Sequence, residues 1–242
     1  IGQILQGGEA VCRDACIPIA GGHTIDSVEP IYGLVAIGIV NPAHLKRNSG
    51  ARPGDKLILG KPLGVGVYSA ALTKAQLPAG AYDALVATTP LLNTSGATLA
   101  CLGGVHAGTD VTGFGLAGHL LEVCQGSGLR ATVRYADLPV LPHARELIEA
   151  GFQTGASARN WTSYGDRVAI NATTIETKAG PRVGPENTAK TLLTDPQTSG
   201  GLLVACAPDT VTEVLSLFLQ QGFSHVSVIG EVAEGEPGID VV

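Results

Sequence analysis

The chain has 242 residues, 45% of them hydrophobic and 15% charged, with 33 glycines and a formal net charge of −6. That length supports one large or two ordinary domains, each with a real core. The acidic balance excludes nucleic-acid binding through a generally basic surface, and no apolar run approaches the roughly 18 residues of a membrane-spanning helix.

The chain opens at Ile1 inside a helical pattern and contains no Met. This reads as a fragment or a processed form, so the first residues say nothing about targeting. The five cysteines, Cys12, Cys16, Cys101, Cys124 and Cys206, include no CxxC pair and no zinc spacing, the pattern of a reduced, intracellular protein. Residues 1–16 read as a helix. Cys12 and Cys16, four apart on it, read as small apolar core residues.

Ile17-Pro18-Ile19-Ala20 is a short apolar strand that runs into Gly21-Gly22-His23-Thr24. An ordinary turn and a phosphate contact through exposed N–H groups are both open there. The run Ile31 to Val40 (IYGLVAIGIV) is the clearest strand, apolar on both faces and expected to be covered on both. A first lobe of about fifty residues cannot supply that cover alone, which predicts a homodimer built largely by this lobe. The polar stretch from His44 to Asp55, with Gly50, Pro53 and Gly54, divides a domain 1–50 from a domain 51–242.

The second domain starts with a strand, Lys56 to Gly60. The segment Lys61-Pro62-Leu63-Gly64-Val65-Gly66 opens a helix through about Thr73. It lacks the G-K-[ST] ending of a phosphate loop, and Lys61 reads first as a solvated lysine, with a phosphate contact as the alternative. Residues 81–103 are helical, interrupted at Pro90 and broken between Asn93 and Gly96.

Thr109-Asp110-Val111-Thr112-Gly113-Phe114-Gly115 then sets one carboxylate in a glycine-flanked bend before a helix. Leu116, Leu120, Val123 and Cys124 mark one face of that helix, which ends at Gly126-Ser127-Gly128. Thr112 suits the N-cap. Gly113 and Gly115 would let a phosphate approach backbone N–H groups at the helix N-terminus. Asp110 has two readings, a hard oxygen ligand for Mg²⁺ beside phosphates and a cap bonded to backbone amides.

Leu129 to Tyr135 alternates as a strand, and Pro142 to Ala150 is a short helix ended by Gly151. Residues 152–190 are the least regular. Within them Arg159 to Tyr164 (RNWTSY) reads as a surface loop pinned by Trp161, with a substrate-facing loop as the alternative. Thr194 to Gly201 (TDPQTSGG) is a dense turn signal. There Asp195 bonded to nearby amides is weighed against a catalytic role. A strand Leu202 to Ala207, an amphipathic helix Thr210 to Leu219, a strand His225 to Val232 and a short C-terminal strand complete the pattern. The order is an α/β piece, a polar joint and an alternating β-α lobe, expected as a mixed sheet with helices mainly on one face. Glycine-rich bends carrying Asp, Thr and His suit a nucleotide phosphate and a divalent cation better than acyl transfer.

Four stretches taken together, AGGHTIDSVEPIYGL (Ala20–Leu34), KRNSGARPGDKLILGKPLGVG (Lys46–Gly66), TDVTGFGLAGHLLEVCQG (Thr109–Gly126) and LLTDPQTSGGLL (Leu192–Leu203), resemble the selenophosphate synthetase (selenide, water dikinase) family, in that family's order and along nearly the whole chain. The resemblance implies a two-lobed α/β fold similar to aminoimidazole ribonucleotide synthetase, with an intersubunit β-barrel from the N-terminal lobes of a homodimer. It implies ATP- and Mg²⁺-dependent conversion of selenide to selenophosphate, with AMP and orthophosphate released, in the cytoplasm. It further implies partners in selenium delivery or the selenocysteine pathway, and none among nucleic acids or membranes. Carried over residue by residue, Asp110 becomes a metal ligand, and Gly21, Gly22, His23 and Thr24 become nucleotide contacts. The family's reactive Cys or selenocysteine, its Lys and two further metal aspartates would lie upstream of Ile1. No catalytic residue is therefore assigned within this chain, which is expected to be inactive alone. A non-catalytic dimerising paralogue or subunit, and a same-fold synthetase acting on another substrate, are the competing readings.

Overall fold

The computed structural model describes residues 1–171 and 186–242. The middle of the irregular stretch 152–190 falls outside them. By contact density the chain divides into two units, Ile1–Leu45 and Lys46–Val242.

In the first unit, helix α1 (Gly2–Asp14) buries Cys12 alone. Cys16, expected in a core, is exposed and sits past the helix end with φ +56°. Neither Ile17 to Ala20 nor Ile31 to Val40 forms a strand, against expectation. The side chains are those of a strand, but a ladder needs a neighbouring backbone, and no described segment pairs with them. Val35, Ile37 and Ile39 stand 89%, 95% and 105% exposed. Gly21, Gly22, His23 and Thr24 lie in the same exposed, irregular run, so the strand-then-turn geometry expected for them is absent.

The second unit is built on a seven-stranded mixed sheet. Its elements in chain order are β1 (Lys56–Leu59), α2 (Val65–Thr73), α3 (Ala81–Thr88), α4 (Ser95–Leu99), β2 (Val105–Asp110), α5 (Gly115–Ser127), β3 (Leu129–Val133), α6 (Ala144–Glu149), α7 (Gly155–Tyr164), β4 (Val168–Ile170), α8 (Glu186–Thr194), β5 (Leu202–Cys206), α9 (Val211–Gln220), β6 (Ser227–Glu234) and β7 (Gly238–Val241). The strand order is β2-β5-β1-β6-β3-β7-β4. The pairs β2–β5, β5–β1, β1–β6 and β6–β3 are antiparallel, and β7 runs parallel to both β3 and β4.

Strand alternation assigns the two faces. Leu57 and Leu59 of β1, Ala131 and Val133 of β3, and Ile239 and Val241 of β7 enter the large core shared with Tyr68, Leu116, Leu120 and Leu192 of the helices. Ile58, Val204 and Cys206 face the opposite way, into a smaller core closed by Leu99 of α4 and Val214 and Phe218 of α9. Beyond that cover the second face turns polar, with the pairs Lys56–Glu231 and Arg130–Asp240 on it. The helices thus lie mainly on one face, with α4 and α9 covering one end of the other.

Helix α5 is the central strut. Its face of Leu116, Leu120, Val123 and Cys124 is buried, and so are Ala117, Gly118, His119 and Leu121 between them. It ends on Gly128 at φ +68°, a left-handed conformation that glycine takes without penalty.

Candidate functional site at one end of the sheet

Three chain segments meet where β1 and β2 end and β5 begins. The Val111 N–H donates to Gly201 O at 2.9 Å, the Gly60 N–H to Leu202 O at 2.9 Å, and the Gln197 N–H to Thr112 O at 3.0 Å. The bend after β2, the turn before α2 and the turn before β5 therefore form one backbone-bonded unit. Gly200 makes this approach workable, because a Cβ there would fall inside the van der Waals sphere of the Val111 carbonyl oxygen. Gly200→Ala is expected to cost about 1–3 kcal/mol or more, since the obstacle is backbone and not a flexible side chain. Urea denaturation measures this, and a loss below ~0.5 kcal/mol would show that the two segments separate freely.

Asp195 and Gln197 cap α2 from the far side of this junction. Asp195 Oδ2 accepts the Gly66 N–H at 3.0 Å and Gln197 Nε2–H at 2.9 Å. Gln197 Oε1 lies 3.2 Å from Gly64 N and 3.3 Å from Val65 N. Four N–H groups at a helix start lack intrahelical partners, and here side chains more than a hundred residues away supply acceptors. Asp195 does bond backbone amide, but across the fold rather than inside its own turn. It is fully buried and its Oδ1 has no partner. Burial pushes its carboxyl up to about 7, against the weaker opposing pull of the Gln197 and Gly66–Val67 donors.

The bend that carries Asp110 is fastened from below by α7. Asn160 Nδ2 donates to Gly113 O at 2.9 Å and to Thr194 O at 3.0 Å, and the Tyr164 hydroxyl donates to Phe114 O. The stretch Arg159 to Tyr164, expected as a loop, is thus helix. It begins at Thr154, whose side chain accepts the Ser157 N–H, a cap signal placed too far upstream for the polar run to reveal. Asn160→Ala leaves the buried Thr194 carbonyl without this donor and releases the Gly113 carbonyl, and a loss of about 1–3 kcal/mol is expected. Thermal unfolding tests it, and an unchanged Tm would count against the clamp.

Other expectations for the bend change. Thr112 does not cap α5, whose N-cap is Phe114 with no side-chain bond. The Thr112 hydroxyl instead meets His119 Nε2 at 3.1 Å. Gly115, at φ +68°, packs against the backbone of Leu193 and Thr194, so its missing side chain serves helix packing and leaves no space for a phosphate. Gly113 alone keeps open space where a Cβ would stand. Lys61, expected in solvent, is 2% exposed, with Nζ donating to Ser199 O at 2.7 Å. A signal for this existed: Lys61 is the only charged residue between Leu57 and Leu72.

Asp110, the last residue of β2, is exposed and pairs in register with Leu202. Its carboxylate makes no hydrogen bond to the described residues, so it does not act as a backbone cap. Among the described residues, no group of three or more His, Cys, Asp or Glu side chains could hold a metal ion. One free carboxylate fits Mg²⁺ as a single protein ligand beside phosphate oxygens, the usual mode for that ion, but not as a complete cage. A cavity of about 200 Å³, lined by Lys61, Thr88, Ser224 and His225 together with Pro62, Leu91, Leu141 and Phe223, mixes polar and apolar surface.

Residues 52–242 match the family model for the C-terminal domain of AIR synthase related proteins. The chain belongs to that family. Over its whole length it is 74% identical to a selenide, water dikinase of Dechloromonas aromatica (strain RCB) and 58% identical to one of Paraburkholderia xenovorans (strain LB400), covering 66% and 65% of those proteins. It thus spans slightly less than two thirds of the curated relatives' length. Among solved structures it resembles the thiamine-monophosphate kinase of Stenotrophomonas maltophilia K279a, with a TM-score of 0.55, 18% identity, and coverage of 84% of this chain and 54% of that one. It also resembles a hydrogenase maturation protein HypE, with a TM-score of 0.55, 18% identity, and coverage of 83% and 52%. Those two likenesses establish the fold alone.

Proposed function

We propose that this chain is the larger part of a selenide, water dikinase that uses ATP and Mg²⁺ to phosphorylate selenide, yielding selenophosphate, AMP and orthophosphate. The supporting observation is the 74% identity over all 242 residues to a protein of that name. A free carboxylate at a rigid, hydrogen-bonded junction agrees with it. In this reading Asp110 holds Mg²⁺ against the nucleotide phosphates, where the ion neutralises charge developing in phosphoryl transfer. The junction's role is to keep that carboxylate in one place, through Asn160, Tyr164 and the Gly200 contact.

Gly21, Gly22, His23 and Thr24 are proposed to contact nucleotide once a second copy covers the first unit. The homodimer is proposed from the same exposed run, because Ile31 to Val40 has the composition of a strand buried on both faces and no partner strand among the described residues. The domain division 1–50 and 51–242 and a cytoplasmic setting belong to the same reading. The nucleophile and its Lys are expected outside this chain, so the chain alone is expected to be inactive. The test is the protein with its upstream segment, assayed for AMP formation from ATP with and without selenide. AMP production indifferent to selenide would reject the assignment.

A further inference from the structure

We infer that the Thr198–Ser199 turn, with the Lys61 ammonium beneath it, is a binding site for a tetrahedral oxyanion such as phosphate or a phosphoryl group. The inference deepens the proposed reaction and rests on it for the ligand's class, but anion binding is measurable without turnover, so the two readings fail separately.

The first observation is a buried charge with no counter-charge. Lys61 is 2% exposed, and its Nζ reaches Ser199 O at 2.7 Å and Ser199 Oγ at 3.5 Å. No carboxylate among the described residues lies within ion-pairing distance of it. An unpaired buried ion is costly, and an anion at the site would remove that cost. Burial lowers the ammonium to about 8, which still leaves most of it charged at neutral pH.

The second observation is a set of unused donors in the same turn. The turn's carbonyls are taken: Ser199 O by Lys61, Gly200 O by Asn93 Nδ2 at 2.9 Å and Gly201 O by Val111 N–H at 2.9 Å. The N–H groups of Thr198 and Ser199 donate to no acceptor among the described residues. Both residues are exposed. Ser199 sits at φ +53°, in the left-handed region. Successive N–H groups in a turn of this kind make an anion-binding concavity, and the two hydroxyls add donors.

A third feature is position. Asp110 pairs with Leu202, three residues past Ser199, on the neighbouring strand. A phosphoryl group on the turn would lie near the carboxylate proposed for Mg²⁺, the cation that accompanies it. Within Pro196 to Gly201 there is no acidic side chain to repel it.

The test uses the full chain and inorganic phosphate, with chloride at equal ionic strength as the control. Backbone amide NMR is expected to show saturable shifts of Thr198 and Ser199 with phosphate and none with chloride. Lys61→Gln keeps a neutral donor for the Ser199 carbonyl but removes the charge, and should weaken phosphate binding by roughly tenfold or more. Ser199→Gly keeps both the N–H and the left-handed backbone, and should bind nearly as well as wild type. Unchanged affinity in Lys61→Gln would overturn the proposal and leave Lys61 a structural donor only. If that variant does not fold, the wild-type amides still decide, because shifts confined to other residues, or no saturable shift, would overturn it.

Discussion

Asp110→Asn is expected to reduce ATP-dependent turnover of the complete protein by at least ~10²-fold, because it weakens the stabilisation of transition-state charge. The fold should not notice the change. The Asp110 carboxylate is exposed and makes no hydrogen bond to the described residues, so its replacement falls among surface substitutions within about ±0.5 kcal/mol. A neutral amide oxygen of the same size attracts Mg²⁺ less than a carboxylate does, so raising Mg²⁺ should recover part of the rate. A capping role would give the opposite pattern, a stability loss on the order of 1 kcal/mol with turnover kept. Turnover and urea denaturation on one purified variant separate the two, and normal turnover at limiting Mg²⁺ would remove Asp110 from the metal site.

The second large effect is on stability against pH, and it comes from Asp195. Its carboxyl is raised by burial to about 7, above the ordinary value of 3.8 that it regains on unfolding. Between those values the native chain holds a proton that the unfolded chain has lost, so stability falls as pH rises. The contribution is fully present below about pH 4 and is lost by about pH 7 to 8. A shift of this size corresponds to up to about 4 kcal/mol over that window. Asp195→Asn keeps an oxygen acceptor for the Gly66 N–H and cannot ionise. Subtracting its unfolding free energy from that of wild type, pH by pH, should give a difference that declines between pH 4 and 7 and is flat above 8. A difference that rises with pH would mean the carboxylate is stabilised by its donors more than burial destabilises it.

Much of the second unit could be read from residue order alone. Period and punctuation predict β1, the helix opening near Gly64, the strut from Gly115 to Gly128, β3 and the final β-α-β run, because each element's apolar spacing matches the face it buries. Asp110 could also be singled out as a carboxylate between a strand and a glycine-rich bend, although residue order alone leaves its capping and metal-ligand readings both open. The absence of a strand at Ile31 to Val40 has an equally plain cause. Composition records that Ile31 to Val40 suits a doubly covered strand, but a strand is a relation between two backbones, and residue order names only one of them.

The junction itself was decided by tertiary structure. Asp195 and Gln197 cap a helix that lies 129 to 133 residues away in sequence, and no local pattern specifies which helix start a distant carboxylate will meet. Thr112 was a sound N-cap by local rules, yet it bonds His119 because Gly115 leaves the helical φ range and α8 packs against the helix start. Lys61 looked like a surface charge and became a buried one because Gly201 and the Ser199 carbonyl close over its stem. The identities of the residues set which groups could serve. Long-range packing chose among them, because hydrogen-bond partners and burial depend on distances that sequence separation does not encode.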